Sequence, residues 1–306
     1  MTVIVFGSIN MDLVAKTPRL PCPGETLMGD SFITIPGGKG ANQAVAIARL
    51  GISTEIVGRV GDDRFGQELL ASLRASGVGC DRVLQDSTTH SGVAMIVVDA
   101  AAENQILVIS GANGQVNITD SQRLNDLLPA ANALLLQLEI PLVAVLEAAQ
   151  AAKSAGVLVI LDPAPVPTHW PDELYSLIDI LTPNQIEASQ LVGFEVNTFE
   201  RAATAAEVLH QRGVSTVIVK LGSQGALCSP IGESPFRVPA FAVEAIDTVA
   251  AGDAFNGGLA AALAEGLPLQ QATRWGAATA ALSVMKTGAQ SSMPSRAELE
   301  AFLAEH

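Results

Sequence analysis

Two short stretches of this chain combine small residues with a charged side chain at what reads as a helix start. The more informative is Asp247-Thr-Val-Ala-Ala-Gly-Asp253, followed by the Ala/Gly-rich helical stretch Ala254 to Glu265. Small residues at Ala250, Ala251 and Gly252 let backbone N–H groups approach a ligand closely, and a helix opening there adds the positive end of its dipole. The combination is an anion hole suited to phosphate. Asp253 would stand beside it as a carboxylate that takes a proton from an attacking hydroxyl during phosphoryl transfer. Read alone, the segment fits an N-capping aspartate after a turn equally well.

The second stretch, Gly37-Gly-Lys-Gly-Ala-Asn-Gln-Ala44, leads into a helical pattern (Val45, Ile47, Ala48, Leu50) that ends at Gly51. Gly38 and Gly40 permit backbone approach, Lys39 supplies a cation, and the Asn42 amide can donate to or accept from a hydroxyl. A tight turn explains the glycines but not the Lys and Asn beside them. Neither stretch is a common nucleotide loop. Lys39 is followed by Gly40 where G-x-x-x-x-G-K-[ST] needs Ser or Thr, and no G-x-G-x-x-G follows the strand-like opening Val3 to Phe6.

Composition narrows the classes. At 306 residues and 49% hydrophobic content the chain fills a sizeable core as one large or two small domains. Seventeen Lys and Arg stand against 31 Asp and Glu, a net charge of −14. No basic stripe is present to neutralise a nucleic-acid backbone, so no nucleic-acid partner is expected. The cysteines Cys22, Cys80 and Cys228 show no C-x-x-C spacing and the four histidines no zinc pattern, which reads as reduced thiols in a cytoplasmic protein. The most apolar stretch, Ala130 to Leu146, is broken by Gln137, Glu139 and Pro141, so no membrane span is predicted.

To position the two stretches, strand-like runs alternate with helical patterns, the signature of a mostly parallel sheet covered by helices. Strands are expected at 3–6, 54–58, 133–137, 157–161, 178–181 and 216–220, and helices at 41–50, 66–76, 141–155, 186–191, 198–212 and 254–265. Polar residues follow the strand ends: Asn10 and Asp12, Glu139, Asn184, and Leu221-Gly222. Open sheets of this type bind ligands beyond the carboxyl ends of their strands, so these residues converge on one crevice. Short β-type runs at 32–35, 93–98 and 105–109 have no helix between them and read either as a separate small sheet or as surface hairpins.

In this order the motifs resemble the PfkB family of carbohydrate and nucleoside kinases, and within it the ribokinases. The resemblance covers almost the whole chain: Gly7-Ser-Ile-Asn-Met-Asp12, Pro23-Gly-Glu-Thr26, the Gly37 to Ala44 cluster, Gln137-Leu-Glu139, Thr182-Pro-Asn184, Leu221-Gly222 with Gly225, and Gly288-Ala-Gln290. It implies a single kinase domain over 1–306 with a ribokinase-like three-layer α/β/α fold. A β-sheet lid from about 13–36 and 91–110 would cover the sugar and pair with its twin in a homodimer.

The resemblance also assigns roles. Asn10, Asp12, Gly38, Lys39, Gly40, Asn42 and Glu139 match positions that bind ribose, although Asp12 alone fits a turn and Glu139 a helix-start charge. Asp253 matches the catalytic base and Ala250 to Asp253 the anion hole. Asn184 and Glu187 match an N-x-x-E motif that organises Mg2+ and its waters, with Gln185 where an acid is common; a helix cap explains the same pair. Lys220, Gly222, Gly225, Gly252 and Ala277 match ATP contacts. Lys220 stands where a hydroxyl residue is common and also fits a solvated strand end, and Ala277 stands where a larger polar residue borders adenine. Asp247, Val249, Ser283, Lys286, Gly288 and Ser292 match a K+ loop, while Asp247 alone fits a turn cap. The expected reaction is ATP-dependent phosphorylation of D-ribose at its 5-hydroxyl. The rivals are a kinase of this fold for deoxyribose, another sugar or a nucleoside, and a sugar-binding regulator without catalysis.

Overall fold

The computed structural model describes residues 1–101 and 103–306. Position 102, inside the expected lid segment 91–110, lies outside the described residues. The strands in chain order are β1 (Thr2–Phe6), β2 (Asn10–Lys16), β3 (Ser31–Gly37), β4 (Ser53–Gly61), β5 (Gly79–Asp86), β6 (Gly92–Val98), β7 (Asn104–Ile109), β8 (Ala133–Leu136), β9 (Leu158–Leu161), β10 (Ile180–Leu181), β11 (Thr216–Lys220), β12 (Ala226–Pro230) and β13 (Phe236–Val238). The helices are α1 (Lys39–Arg49), α2 (Arg64–Ala75), α3 (Ile118–Ser121), α4 (Leu142–Ser154), α5 (Asp172–Leu177), α6 (Gln185–Val192), α7 (Phe199–Gln211), α8 (Ala251–Ala264), α9 (Leu269–Val284) and α10 (Arg296–Glu305).

Nine strands form one sheet in the order β13-β12-β11-β10-β9-β8-β1-β4-β5. It is parallel from β5 through β11, and β12 and β13 add an antiparallel edge. Alternation along the central strands divides the core in two. Val3 and Val5 of β1, Leu135 of β8, Ile160 of β9 and Ile218 of β11 pack with α1, α2, α8, α9 and α10. Their neighbours Ile4, Phe6, Leu134, Leu136, Val159, Leu161, Val217 and Val219 pack with α4 to α7 on the other side. Strands buried on both faces need this continuous apolar character, and the product is the expected three-layer α/β/α sandwich.

β2, β3, β6 and β7 form the second sheet, in the order β3-β2-β6-β7. The small sheet is therefore separate, as expected, but it starts earlier than the apolar run Leu13 onward suggests. Asn10 and Asp12 are strand residues of β2, paired with Gly37 and Ile35 of β3.

Boundaries shift where caps decide them. Asp63 caps α2 through the Gly66 N–H, and Thr198 caps α7 through the Arg201 N–H. The apolar pattern misses α8 at its front: the helix begins at Ala251, three residues before Ala254. It also gives no sign of β5, the β12–β13 edge, α5, α9 or α10.

Candidate active site

Chain order reverses in the sheet at β1, with β4 on one side and β8 on the other. Beyond the carboxyl ends at that point, the loops after β1, β8 and β9 meet the N-termini of α1 and α8, as the switch-point rule requires.

Asp253 is the third residue of α8 and is buried. The N-cap position belongs to Ala250, at φ 58° and with no side-chain cap, so the capping reading of Asp253 fails. Both carboxylate oxygens of Asp253 are held from α1: Oδ2 accepts from Asn42 Nδ2 at 2.9 Å and Oδ1 from Gln43 Nε2 at 2.9 Å. Burial pushes its pKa up, against the Lys39 cation; Asp162 adds to the rise, and the two amides oppose it. A carboxylate raised toward neutrality is a stronger base than an exposed one.

The sugar-side residues are set by close backbone contacts. Gly38 is at φ 88°, and a Cβ on it would stand 2.7 Å from the Asn10 nitrogen; one on Gly40 would meet Ser8 nitrogen at 2.7 Å. No side chain other than hydrogen fits either place, which draws the start of α1 onto the loop after β1. Asn10 is buried, and its Oδ1 accepts from Asn113 Nδ2 at 2.7 Å, leaving its own amide N–H groups to donate. Asp12 lies against Gly37, where an added Cβ would meet its Oδ2 at 2.3 Å. Burial, then the charges of Glu139 and Asp253, push the Asp12 carboxyl up to about 7. Glu139 Oε2 accepts from Ser8 Oγ at 2.5 Å and from the Lys39 N–H at 3.1 Å. It is thus a helix-start charge, but on α1 rather than on the following α4. Burial works against the Lys39 ammonium, yet Asp253, Asp162, Glu139 and Glu187 together hold its pKa above the ordinary lysine value.

A cavity of about 660 Å³ adjoins this cluster. Lys39, Asp253, Ala250, Ala251 and Gly252 line its polar end with Asp162, Asn184, Glu187 and Lys220. Gly222, Gly225 and Ala277 line it further out, where Phe241, Val243, Ala245, Ala280 and Val284 make the wall apolar. All the residues matched to ATP therefore border one space. Lys220 is not a solvated strand end: its Nζ pairs with Asp162 Oδ1 at 3.0 Å, and both side chains are largely covered.

Asn184 and Glu187 form a full capping box on α6, with Asn184 Oδ1 accepting the Glu187 N–H at 2.9 Å and Glu187 Oε2 the Asn184 N–H at 2.8 Å. The cap and the cavity position coexist. Burial, then the nearby Asp162 charge, raises the Glu187 carboxyl, and the cations of Lys220 and Lys39 oppose the rise. Among the described residues no three His, Cys, Asp or Glu side chains cluster tightly enough to cage a metal. A magnesium ion that leans on water and phosphate oxygens, with Glu187 and Asn184 in its surroundings, fits these residues.

Asp247 Oδ1 accepts from the Val249 N–H at 3.0 Å, the turn cap, and its Oδ2 from the Gly288 N–H at 2.9 Å, which ties the segment before α8 to the loop after α9. Ser292 is buried and donates to the Ala289 carbonyl at 2.7 Å, the Ser283 carbonyl accepts from the Lys286 N–H at 3.0 Å, and the Lys286 side chain turns away to Glu298. These hydrogen bonds bring the segments matched to K+ beside one another, and the carbonyl, hydroxyl and carboxylate oxygens they carry are of the kind a monovalent cation takes.

Four residues of the site went unread in the sequence. Gln43, Asp162 and Asn113 are buried polar side chains that hold other site residues, and Ser8 links Glu139 to α1. A Gln inside a helix or an Asp before a Pro gives no signal until the fold brings its partners together.

Comparison with known proteins agrees with this geometry. The model of the pfkB family carbohydrate kinases matches residues 2–296. The chain is 44% identical to a ribokinase of Haemophilus influenzae, covering 100% of this chain and 99% of that protein, and 41% identical to a ribokinase of Bacillus subtilis, covering 98% and 99%. Its structure is similar to that of Arabidopsis thaliana ribokinase complexed with ribose and ATP, at TM-score 0.92 and 37% identity over 98% of both chains. With a family model spanning nearly its full length and relatives this similar, the chain belongs to the pfkB family of carbohydrate kinases.

Proposed function

We propose that the protein transfers the γ-phosphoryl group of ATP to the 5-hydroxyl of D-ribose, giving ribose 5-phosphate and ADP. The observation that carries this reading is the place of Asp253: a buried carboxylate between the polar groups of α1 and the cavity suited to a nucleotide. Asn10 donating, Asp12 and Glu139 accepting, and Asn42 beside the base offer the fixed donors and acceptors that a free polyhydroxylated sugar needs; leaving one unpaired would discriminate against an epimer. Asp253 takes the proton of the attacking hydroxyl. The first amides of α8, with no side chain across them, and the cations of Lys39 and Lys220 offset the charge that develops on the phosphoryl oxygens. Asn184 and Glu187 would help hold Mg2+, which would neutralise phosphate charge, and the Asp247–Gly288 loop would hold K+, which would stiffen the segment before α8.

The sheet register supports a homodimer through the lid. Val14, Ile33, Ile96 and Ile106 form one cross-strand row, two residues from Asp12 and so on the same face, with Ile33 50% and Ile106 57% exposed. A second copy of this face is the partner that would cover it, and light scattering after size-exclusion chromatography tests for it. Cytoplasmic residence agrees with three unpaired cysteines and with the absence, among the described residues, of any helix long and apolar enough to cross a membrane.

The test of function is ADP release by the purified protein with Mg2+ and K+, comparing D-ribose with deoxyribose, other pentoses, hexoses and nucleosides. Clear preference for ribose is expected. Turnover with another acceptor alone would overturn the substrate, and no turnover with any acceptor would favour a sugar-binding regulator.

A further inference from the structure

Gln43 lies in α1 with no exposed surface and touches both halves of the site. Its Nε2 is 2.9 Å from Asp253 Oδ1 and 3.1 Å from Asp162 Oδ2. A primary amide nitrogen carries two hydrogens, so this one serves one carboxylate with each. The sense of the amide is fixed from behind, because Gln137 Nε2 donates to Gln43 Oε1 at 2.6 Å. Gln137 is itself fully buried in the loop after β8, and a Cβ on Gly7 would collide with its Oε1 at 1.9 Å, so the relay is wedged against the start of the loop after β1. Asp162 completes the chain on the cavity side through Lys220.

We propose that Gln43 is a positioning residue for phosphoryl transfer: anchored by Gln137, it fixes the base Asp253 relative to the cavity-side carboxylate Asp162. The inference rests on Asp253 being the base. Two buried carboxylates that share one donor are held apart at a set spacing, and neither rotates without breaking a charge-assisted hydrogen bond. The other charged groups near Asp253 include Lys39 from α1 and Asp12 from β2, with Lys220 behind Asp162. Loss of the Gln43 N–H leaves these in place and removes one donor from the base, so the base ionises at higher pH.

The experiment compares Gln43→Leu, Gln137→Leu and Asp253→Asn with the wild type. Each is measured for kcat, for KM of both substrates, for thermal unfolding, and for the pH dependence of kcat/KM. For Gln43→Leu we expect kcat to fall about 10²-fold with modest KM changes, and the acidic limb to move up by about one pH unit. Gln137→Leu moves the limb the same way by less, and it carries the test if Gln43→Leu does not fold. An unmoved acidic limb in the folded variants, beside an inactive Asp253→Asn, overturns the role of Gln43 alone. Near-normal turnover of Asp253→Asn overturns the reading of the base on which it stands.

Discussion

The contact between α1 and α8 sets the distance from the base to the residues that hold it, and Gly257 controls that contact. A Cβ on Gly257 would stand 2.4 Å from the Cβ of Ala46, and 3.4 Å from the Gln43 carbonyl oxygen and the Ile47 nitrogen. Carbon atoms in ordinary contact sit about 3.5–4.0 Å apart, and none of these atoms ends a flexible side chain, so Gly257→Ala must part the helices by about 1 Å. The hydrogen bonds from Asn42 and Gln43 to Asp253 are each 2.9 Å long, so the same movement takes them beyond the range of about 3.2 Å. Alanine gains about 1 kcal/mol of helix propensity over glycine, and overpacking costs about 1–3 kcal/mol, for a net loss of about 0–2 kcal/mol. A base displaced by about 1 Å is expected to lower kcat about 10²-fold. ADP release at saturating ribose and ATP, with thermal unfolding alongside, measures both. An enzyme that keeps the wild-type kcat with alanine at 257 would refute the claim that this spacing holds the base.

Other substitutions probe separate parts of the site. Asp253→Asn should keep ribose and ATP binding by calorimetry while kcat falls about 10²–10⁴-fold. Asp12 has a folded-state pKa of about 7 against an ordinary 3.8, so its contribution to stability is full below about pH 4 and lost as pH rises to about 7. Asp12→Asn should therefore melt higher than wild type at pH 8 and level with it at pH 4, while weakening ribose binding; equal melting at pH 8 would exclude the burial penalty. Lys220→Met leaves the Asp162 charge buried without its cation, and should destabilise by about 3 kcal/mol in urea and raise KM for ATP more than KM for ribose.

What could be read in advance follows from how far each signal travels along the chain. β1, β8 and β11 have apolar centres because both faces are covered, and their alternation carries the layer order. β5 mixes Asp81, Arg82 and Gln85 with apolar residues because it is an edge strand, and its pattern is lost. α9 is so rich in Ala and Thr that its buried side hardly contrasts with its outer side. The Gly37 to Ala44 cluster stood out because close backbone packing of α1 on the loop after β1 restricts residue type locally, and Asp253 because small residues precede it. Asn113, Asp162 and Gln43 gain their meaning only from partners about 100, 60 and 210 positions away, a relation that spacing cannot express.

Strand β2 begins at Asn10 among the sugar-side residues and runs to Lys16 at the outer end of the lid sheet. With a rise of about 3.4 Å per residue, its six steps span about 20 Å, so a tilt of about 10° at Asn10 sweeps Lys16 through about 3–4 Å. β3 returns along it and ends at Gly37, directly before the glycines that open α1. The small sheet and the sugar-side residues thus share one junction, at Asn10 and Gly37. A rotation at that junction would therefore be small among the sugar-side residues and large at the sheet's far edge.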